Sequence, residues 1–133
     1  MIADTFYTEV EYAYKLKEIA TIHFVKGKNL NISRELVDIF MFFCNHFEIN
    51  PSDVSTKKRT AVNVRYRDLF TGFVRTMKKT DGSCRFSLTK IGVILSGRHH
   101  STIITSRDRH KQALEMDSYY RKDFERLLKA WRR

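Results

Sequence analysis

The chain has 133 residues, of which 42% are hydrophobic and 30% charged, enough for one compact core and too few for two. No apolar run approaches the roughly 18 residues of a membrane span, because the richest stretch, Leu36 to Phe47, is cut by Asp38 and Asn45. The net charge of +10 is uneven, with 5 Lys/Arg against 8 Asp/Glu in residues 1–55 and 20 against 7 in residues 56–133, so the basic half points to an anionic partner, with plain solubility as the alternative.

Residues 4–20 fit a helix loosely through Phe6, Val10, Ala13, Tyr14, Leu16 and Ile19. Thr21 to Lys28 is β-branched and ends in a glycine turn, and reads either as an extended arm or as the end of that helix. From Ser33 the pattern sharpens: Ser33 caps, Ile32 staples onto Val37, and Leu36, Val37, Phe40, Phe43, Cys44 and Phe47 form one apolar face. A boundary is therefore placed between an arm, residues 1–32, and a domain, residues 33–133. Asn50-Pro51-Ser52-Asp53 is a turn leading into Lys57-Lys58-Arg59, where the charge balance changes sign.

Beyond it Val64, Leu69, Phe70, Phe73, Val74 and Met77 recur at helical spacing, with Arg67, Thr71, Arg75 and Lys78 on other faces. Thr80-Asp81-Gly82-Ser83 stops this helix, and Ser87 caps a short one, Leu88–Leu95, burying Leu88, Ile91 and Leu95. After the Ser96-Gly97 turn a helix runs to about Met116 on Ile103, Ser106, His110, Ala113 and Leu114. Asp117-Ser118 punctuates, and Tyr120, Phe124, Leu127, Leu128 and Trp131 carry a last amphipathic helix. The fold class is all-α, a helical bundle containing a helix-turn-helix.

Two elements carry chemistry. Opposite Ile103 the helix after Gly97 presents Ser101, Thr105, Asp108, Arg109 and Gln112, with His100 and Thr102 at its exposed start. In a helix-turn-helix the first residues of the second helix approach base edges, where His, Ser and Thr hydrogen-bond; the plainer reading is that they cap a surface helix. Lys57-Lys58-Arg59 through Arg67 is a basic loop running into a helix, suited to phosphates and to placing one Arg in a narrow minor groove, or else a solvated charge run. His99-His100 lacks a carboxylate or Cys at chelating spacing, so no metal is expected. The acid nearest them in the helix, Asp108, is two turns away, which disfavours a His-based nuclease and any enzyme.

In this order and separation the two elements resemble the C-terminal DNA-binding domain, domain IV, of the bacterial replication initiator DnaA, a helical domain akin to the Trp-repressor fold. The resemblance runs from about Met41 to Leu128. The family's turn and recognition helix read approximately Gly-Gly-Arg-Asp-His-Thr-Thr-Val, and Ser96, Gly97, Arg98, His99, His100, Ser101, Thr102 and Ile103 stand there in this chain. Lys57-Lys58-Arg59 falls on the family's basic cluster and Val64-Arg65-Tyr66-Arg67 on its Ala-Arg-Pro-Arg. The resemblance implies that Arg65 reads the minor groove, that His99, His100 and Ser101 read the major groove, and that Thr102 holds the DNA backbone. Arg98 belongs to the same motif. Lys57, Lys58, Arg59, Arg67 and Lys90 are then the phosphate clamps, with Thr105 and Arg109 on the same exposed face.

His99 departs from the family's Asp, Tyr66 from its Pro, and His110 from an apolar residue, where a satisfied core or boundary histidine is expected. No Gly-x-x-x-x-Gly-Lys-Ser/Thr occurs, so no nucleotide or other cofactor is expected and the resemblance does not extend to an ATP-driven initiator. Cys44 and Cys84, 40 positions apart without a Cys-x-x-Cys pair or a leader, suit a reduced, cytoplasmic, nucleoid-associated protein. The function expected is sequence-specific double-stranded DNA binding in replication control or transcriptional regulation. The alternative is an adaptor or inhibitor of the replication machinery that binds a protein partner through residues 1–47, motivated by Phe6, Tyr7, Tyr12 and Tyr14.

Overall fold

The computed structural model describes residues 34–55, 60–95 and 98–132. The N-terminal arm, the Ile32–Ser33 staple and cap, the cluster Lys57-Lys58-Arg59 and the pair Ser96-Gly97 lie outside the described residues. Among the described residues six helices follow one another: α1 (Arg34–Phe47), α2 (Pro51–Ser55), α3 (Ala61–Arg75), α4 (Leu88–Ile94), α5 (His100–Met116) and α6 (Ser118–Trp131). Among the described residues none is long and apolar enough to cross a membrane.

The expected apolar face of α1 is buried at Leu36, Val37, Phe40, Phe43 and Cys44, with Ile39 added and Phe47 half-buried at the end. The helix closes with Glu48 in the left-handed region, φ 53°, while Ile49 N–H reaches Cys44 O at 3.0 Å and Glu48 N–H reaches Asn45 O at 3.2 Å. This pair of bonds is the Schellman arrangement, made here without the usual glycine. The Asn50–Asp53 turn is in fact the start of the one-turn helix α2. Asn50 Oδ1 accepts from Ser52 N–H at 3.0 Å, and Pro51 takes the first helical position, where a missing N–H costs nothing.

Helix α3 is the axis of the domain. Thr60 caps it, its hydroxyl accepting from Asn63 N–H at 3.2 Å, so the helix begins at Ala61, earlier than the apolar pattern suggests. From Arg67 to Val74 every residue is buried, because neighbours pack on all sides. Arg67 and Thr71, expected on other faces, are therefore interior. Phe40 and Phe43 meet Phe70 with ring centroids at 5.0 and 5.3 Å, edge to face, and Trp131 of α6 meets Phe73 at 5.7 Å. Full burial of each of these Phe rings contributes about 1.5–3 kcal/mol.

The α3–α4 connection doubles back through Lys79 N–H to Ser83 O at 2.8 Å and Arg85 N–H to Met77 O at 2.9 Å. Gly82 takes the left-handed position at φ 87°. Ser87 caps α4 as expected, accepting from Lys90 N–H at 3.2 Å. Asp117 caps α6, accepting from Tyr119 and Tyr120 N–H at 3.0 and 3.1 Å.

Helix α5 buries Ile103, Ser106 and His110. The His110 ring lies where a Cβ on Gly72 would be, within 2.2 Å, so α3 and α5 approach closely only because Gly72 has no side chain. Its Nδ1 is 2.6 Å from the Tyr120 hydroxyl, and its ring stands edge-on to Phe124 at 4.5 Å. Burial lowers the His110 pKa to about 4 and raises that of Tyr120, so both are neutral. Of the core and boundary positions expected for this histidine, it takes the core one, with a hydrogen-bond partner.

Candidate nucleic-acid interface

The geometry of the site starts at Gly92. Arg98 N–H donates to Gly92 O at 2.9 Å, and a Cβ on Gly92 would stand 2.2 Å from Arg98 O. The backbone at Arg98 lies against α4 at a distance no other residue at position 92 allows. Ile103, fully buried, anchors the next turn. Together they fix where α5 begins and which way it points.

His99 is the N-cap of α5, its Nδ1 accepting from Ser101 N–H at 3.2 Å and lying 2.9 Å from Ser101 Oγ. A ring nitrogen here does the work of the short oxygen usually found at a cap. The His99 and His100 rings lie with centroids 4.1 Å apart, and among the described residues no group of three or more His, Cys, Asp or Glu surrounds them. His99, His100, Ser101, Thr102 and Thr105 are all exposed, and Thr105 Oγ1 donates to Ser101 O at 3.2 Å.

Beside this surface, between α3 and α5, is a cleft of about 230 Å³ lined by Val64, Arg67, Arg98, Thr102, Thr105, Ser106 and Arg109. Five of the residues singled out in the sequence thus meet in one place. They are not alike in freedom. Arg67 is 4% exposed, and its Nε–H donates to Val54 O at 2.7 Å, which ties α2 to α3. Its expected role as an outward phosphate clamp does not fit that position, since its charge is spent on backbone carbonyls of α2. Arg109 makes a two-pronged pair with Asp68, Nε to Oδ2 at 2.9 Å and Nη2 to Oδ1 at 3.0 Å. Asp68 holds it more firmly protonated than usual. Lys90 is exposed on α4.

Arg65 is the main correction. It was expected to reach the minor groove next to the major groove read by Ser101, from the same side of the bundle. Instead Nη2 bonds Asp123 at 2.8 Å and Nη1 bonds Asp117 at 3.3 Å, and the guanidinium lies 5.2 Å from the centroid of the Tyr120 ring. Burial works against its charge, yet the two carboxylates leave its pKa raised. Asp117 caps the far end of α5, about 24 Å from Ser101 at 1.5 Å per residue. The reason is that Arg65 lies inside a helix and not in a loop, so its direction is set by the register of α3.

As partners of arginines, Asp68, Asp117 and Asp123 escaped the sequence reading. A signal existed for Asp68, because an acid next to the run Leu69-Phe70-Thr71-Gly72-Phe73 sits on a buried helix and needs a cation. For the other two no local signal existed, since the partner is 52 or 58 residues away.

The family model described as bacterial dnaA protein helix-turn-helix matches residues 37–109, more than half the chain and all of the path from α1 to the exposed part of α5. The chain belongs to the bacterial DnaA helix-turn-helix family. It is also 30% identical over 90 residues to the chromosomal replication initiator protein DnaA of Bacteroides fragilis (strain YCH46). That alignment takes in 68% of this chain and 18% of the relative, so the chain spans about a fifth of the length of the DnaA protein it matches. Within the DnaA helix-turn-helix match lie the Gly92 contact, the His99 cap and the Arg109–Asp68 pair; α6 follows it.

Proposed function

We propose that this chain binds double-stranded DNA, seating the start of α5 in the major groove. One observation carries the reading: His99, His100, Ser101 and Thr105 are held exposed and in fixed register on a helix start that Gly92 and Ile103 lock against α4. Short donors and acceptors on such a helix suit base edges, and the positive end of the helix dipole favours phosphate. Lys57, Lys58 and Arg59, next in sequence to the Thr60 cap, together with Lys90 and Arg98, serve as phosphate clamps. Any reach into the minor groove falls to that basic cluster, since Arg65 is engaged with Asp117 and Asp123. Thr102 contacts the DNA backbone from the edge of the cleft. The biological output is replication control or transcriptional regulation, in keeping with the relative's name as a replication initiator.

The test is selection of bound sequences from random duplex DNA by the full chain. A defined site is expected, and with roughly six phosphates neutralised the log affinity falls with log salt at a slope of about −5. Ser101→Ala should relax preference at one position by about 1–3 kcal/mol, whereas Lys58→Gln should weaken all sequences alike and flatten the slope by about 0.9. Recovery of no preferred sequence, or identical behaviour of the two variants, would refute the reading.

A further inference from the structure

Helix α6 carries a second cationic face for which the reading above has no use. Opposite its buried residues Tyr120, Phe124 and Leu127 it exposes Lys122, Arg126 and Lys129. Spacings of four and three residues put these on one line, about 10 Å long at 1.5 Å per residue. Glu125 is the exposed acid of this helix, while Arg121 and Arg132 add exposed charge beside the row. Elsewhere Arg65, Arg85, Arg107 and Arg109 each face a carboxylate. Among the described residues none of the three cations in the row does.

The direction of the row matters as much as its charge. Helices α5 and α6 meet through His110 and Phe124, with ring centroids 4.5 Å apart, and each of these residues belongs to the buried stripe of its own helix. The exposed faces of the two helices are therefore turned away from one another. A straight duplex seated on the start of α5 leaves the α6 row in solvent.

We propose that this row holds the phosphate backbone of a second stretch of duplex DNA while α5 holds the first, so that one molecule bridges two DNA segments. The proposal rests on the DNA-binding reading of α5. Its occupant follows from complementarity: a row of about 10 Å spans about three successive phosphates at 3.4 Å of axis per strand. An anionic membrane fits less well, because an interfacial helix must offer an apolar face to the acyl region, and that face of α6 is already buried in the core at Tyr120, Phe124 and Leu127.

The experiment compares the full chain with K122Q/R126Q/K129Q, three exposed positions whose change leaves the core untouched. An immobilised duplex carrying the selected site is loaded with protein, and capture of a second, labelled duplex lacking the site is measured against salt. The variant is expected to bind the first duplex with unchanged affinity, to capture the second roughly tenfold less, and to show a capture slope flatter by about 2.7. Equal capture by both proteins, or no capture by the parent chain, overturns the proposal. So does a result in which anionic phospholipid vesicles bind through the row and the second duplex does not. Failure of both proteins to bind the first duplex is a separate outcome, and it brings down the α5 reading together with the bridge built on it.

Discussion

Replacing Gly92 by Ala tests the geometry on which the α5 surface depends. The new Cβ would stand 2.2 Å from Arg98 O, about 1 Å short of the 3.3 Å at which carbon normally meets a carbonyl oxygen. The obstacle is backbone, so the chain at Arg98 must move, and with it goes the 2.9 Å bond from Arg98 N–H to Gly92 O. Overpacking costs about 1–3 kcal/mol and the lost hydrogen bond about 1 kcal/mol, while alanine returns about 1 kcal/mol through helix propensity. The net expectation is a destabilisation of about 1–3 kcal/mol, read as a lowered urea midpoint at constant slope. Affinity for the selected duplex should fall further than this loss of stability explains, because the start of α5 is displaced. Gly82→Ala is the control: its φ of 87° makes it strained, but nothing lies within 4 Å, so it should cost about 1–2 kcal/mol and leave DNA affinity alone. A Gly92→Ala protein as stable as the parent with undiminished affinity would refute the argument.

Three further outcomes are expected. His110, with its pKa lowered to about 4 by burial, makes stability depend on pH: below about 6.5 the unfolded chain takes up a proton that the folded one refuses until about pH 4, so up to about 3 kcal/mol is lost across that window as pH falls. His110→Leu should remove one proton from this slope in denaturation measured between pH 7 and 4, and an unchanged slope would show that another group is responsible. Glu48→Gly relieves a left-handed residue at the end of α1 and should raise stability by up to about 1 kcal/mol; a lowered melting temperature would contradict it. Breaking the Arg109–Asp68 pair with Asp68→Ala should cost about 1–2 kcal/mol, discounted because Arg109 is 46% exposed, and a double-mutant cycle with Arg109→Ala should return a coupling of similar size.

The helix-turn-helix was legible because its signals are local. Ser87 caps α4, Ile103, Ser106 and His110 share one helical stripe, and Asp117 starts α6; each follows from spacings of three or four residues and from short side chains bonding their own backbone. The N-terminus of α3 was less so, because Thr60 begins the helix before any apolar residue announces it, and α2 was hidden in what reads as a proline turn.

The destinations of the arginines belonged to the tertiary structure. Arg65, Arg67 and Arg109 have the same charge and each lies within a helix, yet one meets Asp117 and Asp123, one meets the carbonyl of Val54, and one meets Asp68. A guanidinium on a long, flexible stem takes whichever acceptor the packing of distant helices brings within reach, and those acceptors lie 13 to 58 residues away. Sequence determined which helix opens with short polar side chains and where the cationic charge is concentrated. Only the folded arrangement decided which of those cations face solvent and which are spent on holding the bundle together.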